Sequence, residues 1–175
     1  MKTLEEYGYD PKYKQLTRSL LDREPDSTLE QAVMQHVAWV INQDYANERE
    51  IIAGLPAGIQ MVYTTRWVED EVNNGGFNQY FFNSTGELAD LALAGFQLLG
   101  ATKNEHLMRD ALAVYEQERI RLEQARKAES KDAFADTYKD SGFESLDERF
   151  YKLGEDLQKL RIRYIREHPE HFVHP

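Results

Sequence analysis

The residues whose types could do chemistry gather most densely between Glu69 and Gly86: three consecutive acids, then Asn73, Asn74, Gly75, Gly76, Phe77, Asn78, Gln79, Tyr80, Phe81, Phe82, Asn83 and Ser84. Side-chain amides both donate and accept hydrogen bonds, so Asn74, Asn78, Gln79 and Asn83 could surround a shallow pocket lined by Phe and Tyr, suited to a small ligand or peptide. No nucleophile, metal-ligand set or phosphate loop accompanies them. The same block also has a purely structural reading. Gly75 or Gly76 supplies a left-handed residue, Asn73 and Asn74 tolerate one, Phe77 and Phe81 share a helix face, and Ser84 caps the next helix.

A second kind of chemistry is electrostatic. Glu129, Asp132, Asp136 and Asp140 are spaced three, four and four, which places them on one side of a helix if a helix covers them. Neighbouring carboxylates would then be about 6 Å apart along the axis. B-DNA presents one phosphate per about 3.4 Å per strand, so such a row has the sign and coarse pitch of a sparse nucleic-acid backbone. Lys127, Lys131 and Lys139 interleave with it, as on an ordinary solvated face. Asp44 and Glu48 form a shorter row. Glu69 and Glu71 point away from the helix face on which Arg66 and Asp70, four apart, are expected to pair. Closely set charges of one sign would steer a basic partner and lose that effect in salt.

His168, His171 and His174 form H-x-x-H-x-x-H, a spacing that invites a metal reading because imidazole is a common ligand. Pro169 and Pro175 deny that run a regular helix, and His168-Pro169 serves more simply as a helix stop. His36 and His106 are isolated. We therefore expect no metal, no cofactor and no catalytic residue. The absence of cysteine excludes a thiolate nucleophile and cysteine-ligated metals.

These side chains need elements to hold them. The chain has 175 residues, 21 basic and 31 acidic, a formal charge of −10 spread along its length, and 41% hydrophobic residues. That composition suits one globular domain, and the acidity argues against direct contact with nucleic acid. An acidic N-terminus without an apolar run, and no long apolar stretch, point to a cytoplasmic protein off the membrane. Asp10-Pro11 opens a helix expected to reach about Arg23. Ser27/Glu30, Ser84/Glu87 and Thr102/Glu105 have capping-box spacing. Leu29, Val33, Val37, Val40 and Ile41 predict a helix to about Glu50, and Ile59, Val62, Tyr63 and Trp67 one to about Asn74. The helix from Thr102 meets no breaker before Gly142, and Phe150, Leu153, Leu157, Leu160 and Tyr164 form a final stripe. The expected fold is all-α, a single-domain helical bundle of about six to eight helices.

The block Glu71, Asn73, Asn74, Gly75, Gly76, Phe77, Gln79, Phe81, Phe82, Asn83, Ser84 and Gly86 resembles the E-x-N-N-G-G-F-x-Q-F-F-x-N-S-x-G signature of a bacterial domain-of-unknown-function family. Tyr164-Ile165-Arg166, His168-Pro169-Glu170 and Phe172 match a second element. The resemblance covers roughly residues 55–173, with the N-terminal helices of 10–54 packed on that core. The best characterised member of that family is an acidic DNA-mimic protein. The resemblance implies a homodimer whose acidic surface competes with DNA for a basic regulator of the helix-turn-helix type. Glu129, Asp132, Asp136, Asp140, Glu69, Glu71, Asp44 and Glu48 are the candidate partner-binding residues. The alternative is a small-ligand or peptide-binding module at the amide and aromatic corner, residues 74–83.

Overall fold

The computed structural model describes residues 2–173. Among them the regular structure is entirely helical: α1 Arg18–Arg23, α2 Asp26–Ile41, α3 Glu48–Ala53, α4 Ala57–Phe82, α5 Ala89–Leu99, α6 Thr102–Lys127, α7 Lys131–Asp136, α8 Glu144–Lys152 and α9 Leu157–Glu167, with short 3-10 turns between several of them. The all-α reading holds. No helix of the described residues is long and apolar enough to cross a membrane. The chain divides into two compact units, one made of the N-terminal stretch through Tyr63 together with the C-terminal stretch from Asp156, the other of Thr64–Glu155.

In the first unit, α2 buries Leu29, Val33, Val37 and Ile41, as its period requires, while Val40 is exposed. The expected capping box is absent: no side chain caps α2, and Glu30 is buried, its Oε1 2.9 Å from the Nε of Arg161 on α9. Removing two charges from water is offset only by such direct pairing. The helix also ends earlier than expected, because Asn42 and Gln43 adopt φ of 45° and 70°. Asn tolerates that region better than most residues. The helix expected from Asp10 is interrupted too. Asp10 accepts from the Lys12 N–H above a 3-10 turn, Pro11–Lys14, and Thr17 then caps α1. Arg166 of α9 reaches Asp26 and the carbonyls of Leu21 and Glu24.

The second unit surrounds Val68, Val72, Phe77, Tyr80, Phe81, Phe96, Leu107, Met108, Leu122, Phe143 and Leu146. Phe81 stacks on Tyr115, centroids 4.4 Å apart, and on Phe143 at 5.3 Å. Gly100, at φ 71°, stops α5 as expected. Neither Ser84 nor Thr102 caps its helix with its side chain. The long helix from Thr102 closes at Lys127. Glu129 turns the chain at φ 48°, and Ser130, which was not among the expected caps, accepts from the Asp132 and Ala133 N–H groups to start α7.

Candidate functional site

The Asn-Gly-Gly-Phe block breaks α4 at the expected helix end: Gly75 and Gly76 leave helical backbone, and a second helical segment follows across the kink to Phe82. Gly75 has φ −157° and ψ 24°, and Gly76 φ 73° and ψ 179°. The second pair of angles belongs to a region essentially reserved for glycine. A side chain at Gly76 would also meet the carboxylate of Asp147, Oδ2 lying 2.3 Å from the position of a Cβ. That carboxylate accepts the Phe77 N–H at 2.8 Å, so it satisfies a donor that the kink withdraws from the helical ladder. Burial pushes the Asp147 carboxyl above its ordinary range, against the opposing pull of the Phe77 amide, and the charge of Glu144 pushes in the same direction as burial. The Tyr138 hydroxyl donates to the Gly75 carbonyl at 2.9 Å.

Glu71 organises the polar half of the block. It is buried, and its Oε2 accepts from Gln79 Nε2 at 2.6 Å and from Asn83 Nδ2 at 2.9 Å. Three block residues, twelve positions apart at most, are thereby tied across the kink. Glu71 is therefore withdrawn from the partner-binding surface on which it was expected. Asn78 is buried as well and donates to Thr137 Oγ1 at 2.7 Å. Asn73 is exposed and donates to the Glu69 carbonyl, Asn74 is exposed, and Glu69 is half-buried. Ser84 is exposed at the start of the 3-10 turn Ser84–Leu88, and Phe77 and Phe81 are core residues with ring centroids 6.4 Å apart. Of the four amides expected around a pocket, Gln79 and Asn83 line one. It is a cleft of about 520 Å³, walled also by Phe82, Phe134, Arg126 and Lys131. Phe82 belongs to the block already singled out, whereas the sequence signal for Phe134, Arg126 and Lys131 is weak: only their positions in α6 and α7 mark them.

The acidic row is not a row on one helix. Glu129 sits in the turn after α6, Asp132 and Asp136 in the first and last turns of the six-residue α7, and Asp140, at φ 55°, in the loop beyond. All four are exposed. Asp136 pairs with Lys139 at 2.6 Å, whereas among the described residues no lysine or arginine pairs with Glu129, Asp132 or Asp140. In the other unit, Asp44 is exposed and accepts from the Asn47 amide. Glu48 is buried and accepts the Tyr63 hydroxyl at 2.6 Å, which removes it from the expected surface. Arg66 and Asp70 pair as expected, with Nε 2.8 Å from both carboxylate oxygens.

The histidines of the C-terminal run serve local packing. His171 Nδ1 is 2.8 Å from the Tyr164 hydroxyl, and the His168 and His171 rings stack with centroids 5.4 Å apart. His174 lies outside the described residues. Among the described residues no three His, Asp or Glu side chains gather as a metal-binding group.

No curated protein and no solved structure matches this chain. One family does. The sequence model of the DMP19-like protein matches residues 53–168, a span that holds the kink, the Glu71 network, the cleft and the exposed acids of 129–140. That is well over half of the chain, and on it the chain belongs to the DMP19-like protein family.

Proposed function

We propose that this protein is an acidic interaction module, a DNA mimic that, as a homodimer, occupies the DNA-binding face of a basic regulator. The observation that carries the reading is the set of exposed carboxylates at Glu129, Asp132 and Asp140 with no cationic partner among the described residues, in a chain of formal charge −10. Family membership and the resemblance to a DNA-mimic family give the same direction. Carboxylates without an internal partner keep their charge available for the Arg and Lys of a protein built to hold phosphates, as charge-assisted hydrogen bonds. Asp136 contributes less, since Lys139 already faces it.

The partner surface drawn from this reading is narrower than the sequence suggests: Glu71 and Glu48 drop out as buried acceptors, while Asp44 and Glu69 have no such surface role to support them beyond their sign. The test is a pull-down from native cytoplasm, eluted on a salt gradient and repeated with the Asp132→Lys, Asp136→Lys, Asp140→Lys variant. A basic DNA-binding protein that elutes early in the gradient, is displaced by DNA and is lost with the variant is the expected result, since charges beyond a screening length of about 10 Å fade at moderate salt. Retention that is indifferent to salt and to charge reversal refutes the reading.

A further inference from the structure

We propose that the cleft at the end of α6 binds a small organic anion, a carboxylate on a flat apolar body, with Arg126 supplying the counter-charge and Phe82 and Phe134 the apolar wall. The inference does not rest on DNA mimicry and concerns a different surface property.

Size and lining come first. A cleft of about 520 Å³ falls within the range of about 300–1,000 Å³ typical of small-ligand sites. Phe82 and Phe134 lie against each other with ring centroids 4.6 Å apart and planes inclined by 53°, leaving aromatic surface for a flat ligand. Both rings are only half-buried, so part of that surface remains open to an occupant.

Charge decides the ligand class. Arg126 is half-buried; among the described residues its Nε is shielded from solvent without a partner, and its one hydrogen bond runs from Nη2 to the Phe81 carbonyl at 3.4 Å, long for such a bond. Among the described residues no carboxylate pairs with it. Arg121, on the same helix, shows the ordinary arrangement: Glu118 lies 2.6 Å from its guanidinium. A guanidinium partly removed from water and left without a counter-charge carries a desolvation cost that an incoming anion would offset. Lys131 adds a second positive charge to the lining against the single carboxylate of Glu129, so the walls of the cleft are net positive in a strongly acidic protein, while the Glu71 carboxylate beneath them is taken up by two amide donors. A cation has no advantage there, and a neutral apolar ligand leaves Arg126 uncompensated.

Specificity would come from beneath. Gln79 and Asn83 enter the cleft as amides whose orientation is set by Glu71, which holds one N–H of each. Each nitrogen keeps a second N–H for an acceptor on the ligand. The buried carboxylate thus acts as a positioning residue for the site.

The experiment is an NMR titration of the full isotope-labelled chain with naphthoate, using naphthamide as the neutral isostere and a short polyaspartate peptide as the macromolecular alternative. Saturable shifts confined to the amides of residues 79–83 and 126–134, weakened at least about tenfold by Arg126→Gln and a few-fold by Lys131→Gln, are expected, in keeping with loss of a charge-assisted contact. Lys131 is exposed, so that variant decides the matter if Arg126→Gln fails to fold. Equal affinity for naphthamide, unchanged affinity in Lys131→Gln, absence of saturation, or tighter binding of the peptide than of naphthoate each overturns the proposal.

Discussion

Replacing Gly76 by Ala tests whether the kink in α4 is imposed by its contacts with α8. Two costs add. Holding a non-glycine residue at φ 73° and ψ 179° costs about 1–3 kcal/mol. The new methyl would also sit 2.3 Å from Asp147 Oδ2, so the carboxylate must retreat and the Phe77 N–H, which it accepts at 2.8 Å, loses its partner at a further cost of about 1–3 kcal/mol. The expected destabilisation is therefore about 2–6 kcal/mol, or a fall in Tm of roughly 4–24 °C at the about 2–4 °C per kcal/mol usual for chains of this size. Urea unfolding followed by circular dichroism measures it, with the m-value checking that the transition stays two-state. A double-mutant cycle with Asp147→Ala separates the terms. Asp147→Ala alone strands the same N–H but opens the space, so the double variant should cost at least about 1 kcal/mol less than the sum of the singles. A Gly76→Ala variant as stable as the parent, or strict additivity, would refute the account of the kink.

The pH dependence at Asp147 has a definite sign. Its carboxyl titrates above the ordinary value of 3.8 in the folded state, so between that value and the raised one the folded chain binds the extra proton. Its contribution to stability is then fully present below 3.8 and is lost as pH rises through the raised value. Subtracting the stability profile of Asp147→Asn from that of the parent should show that decline, and a flat or rising difference contradicts it. Glu71→Ala leaves two amide donors without their shared acceptor and should destabilise by about 2–4 kcal/mol in chemical denaturation, with Glu71→Gln intermediate because its neutral carbonyl accepts both bonds without the charge that strengthens them.

Helix starts and stops marked by glycine or proline were legible in the sequence: Gly54 and Pro56 before α4, Gly100 after α5, His168-Pro169 after α9. The Asp10 cap before Pro11 was legible too, but the three capping boxes did not form, and for the first of them the reason is tertiary. Glu30 has the spacing to close a capping box with Ser27, but Arg161 lies 131 positions away and takes its carboxylate into the interior. The break after Lys127 escaped because it uses no breaker; Glu129 accepts a left-handed backbone and Ser130 restarts the helix, a device visible only once the first helix is known to have ended. Within the family block, the structural reading of the glycines and of Phe77 and Phe81 was available from residue types. The bond from Gln79 and Asn83 to Glu71 was not, since positions eight and twelve apart share a site only because Gly75 and Gly76 bend the helix between them.

The distribution of the acids then bears directly on what net charge can tell about function. A formal charge of −10 counts every carboxylate alike, yet Glu30, Glu48 and Glu71 are interior groups holding Arg161, Tyr63 and the two amides, and others such as Asp70, Asp136 and Glu105 already face a cation. What a partner would meet is the remainder, and in the second unit that remainder includes Glu129, Asp132 and Asp140, on and either side of the short α7. Glu71, Gly76, Phe77, Asn78 and Phe81 of the Asn-Gly-Gly-Phe block lie in the interior and answer to packing, whereas the acids of 129–140 are exposed. Charge reversal at residues 132, 136 and 140 should accordingly abolish partner binding while leaving the urea midpoint close to that of the parent, whereas Glu71→Ala should do the reverse at sub-denaturing concentrations. If instead the two properties fall together in both variants, the scaffold and the interaction surface are one structure and the division drawn between interior and exposed acids is wrong.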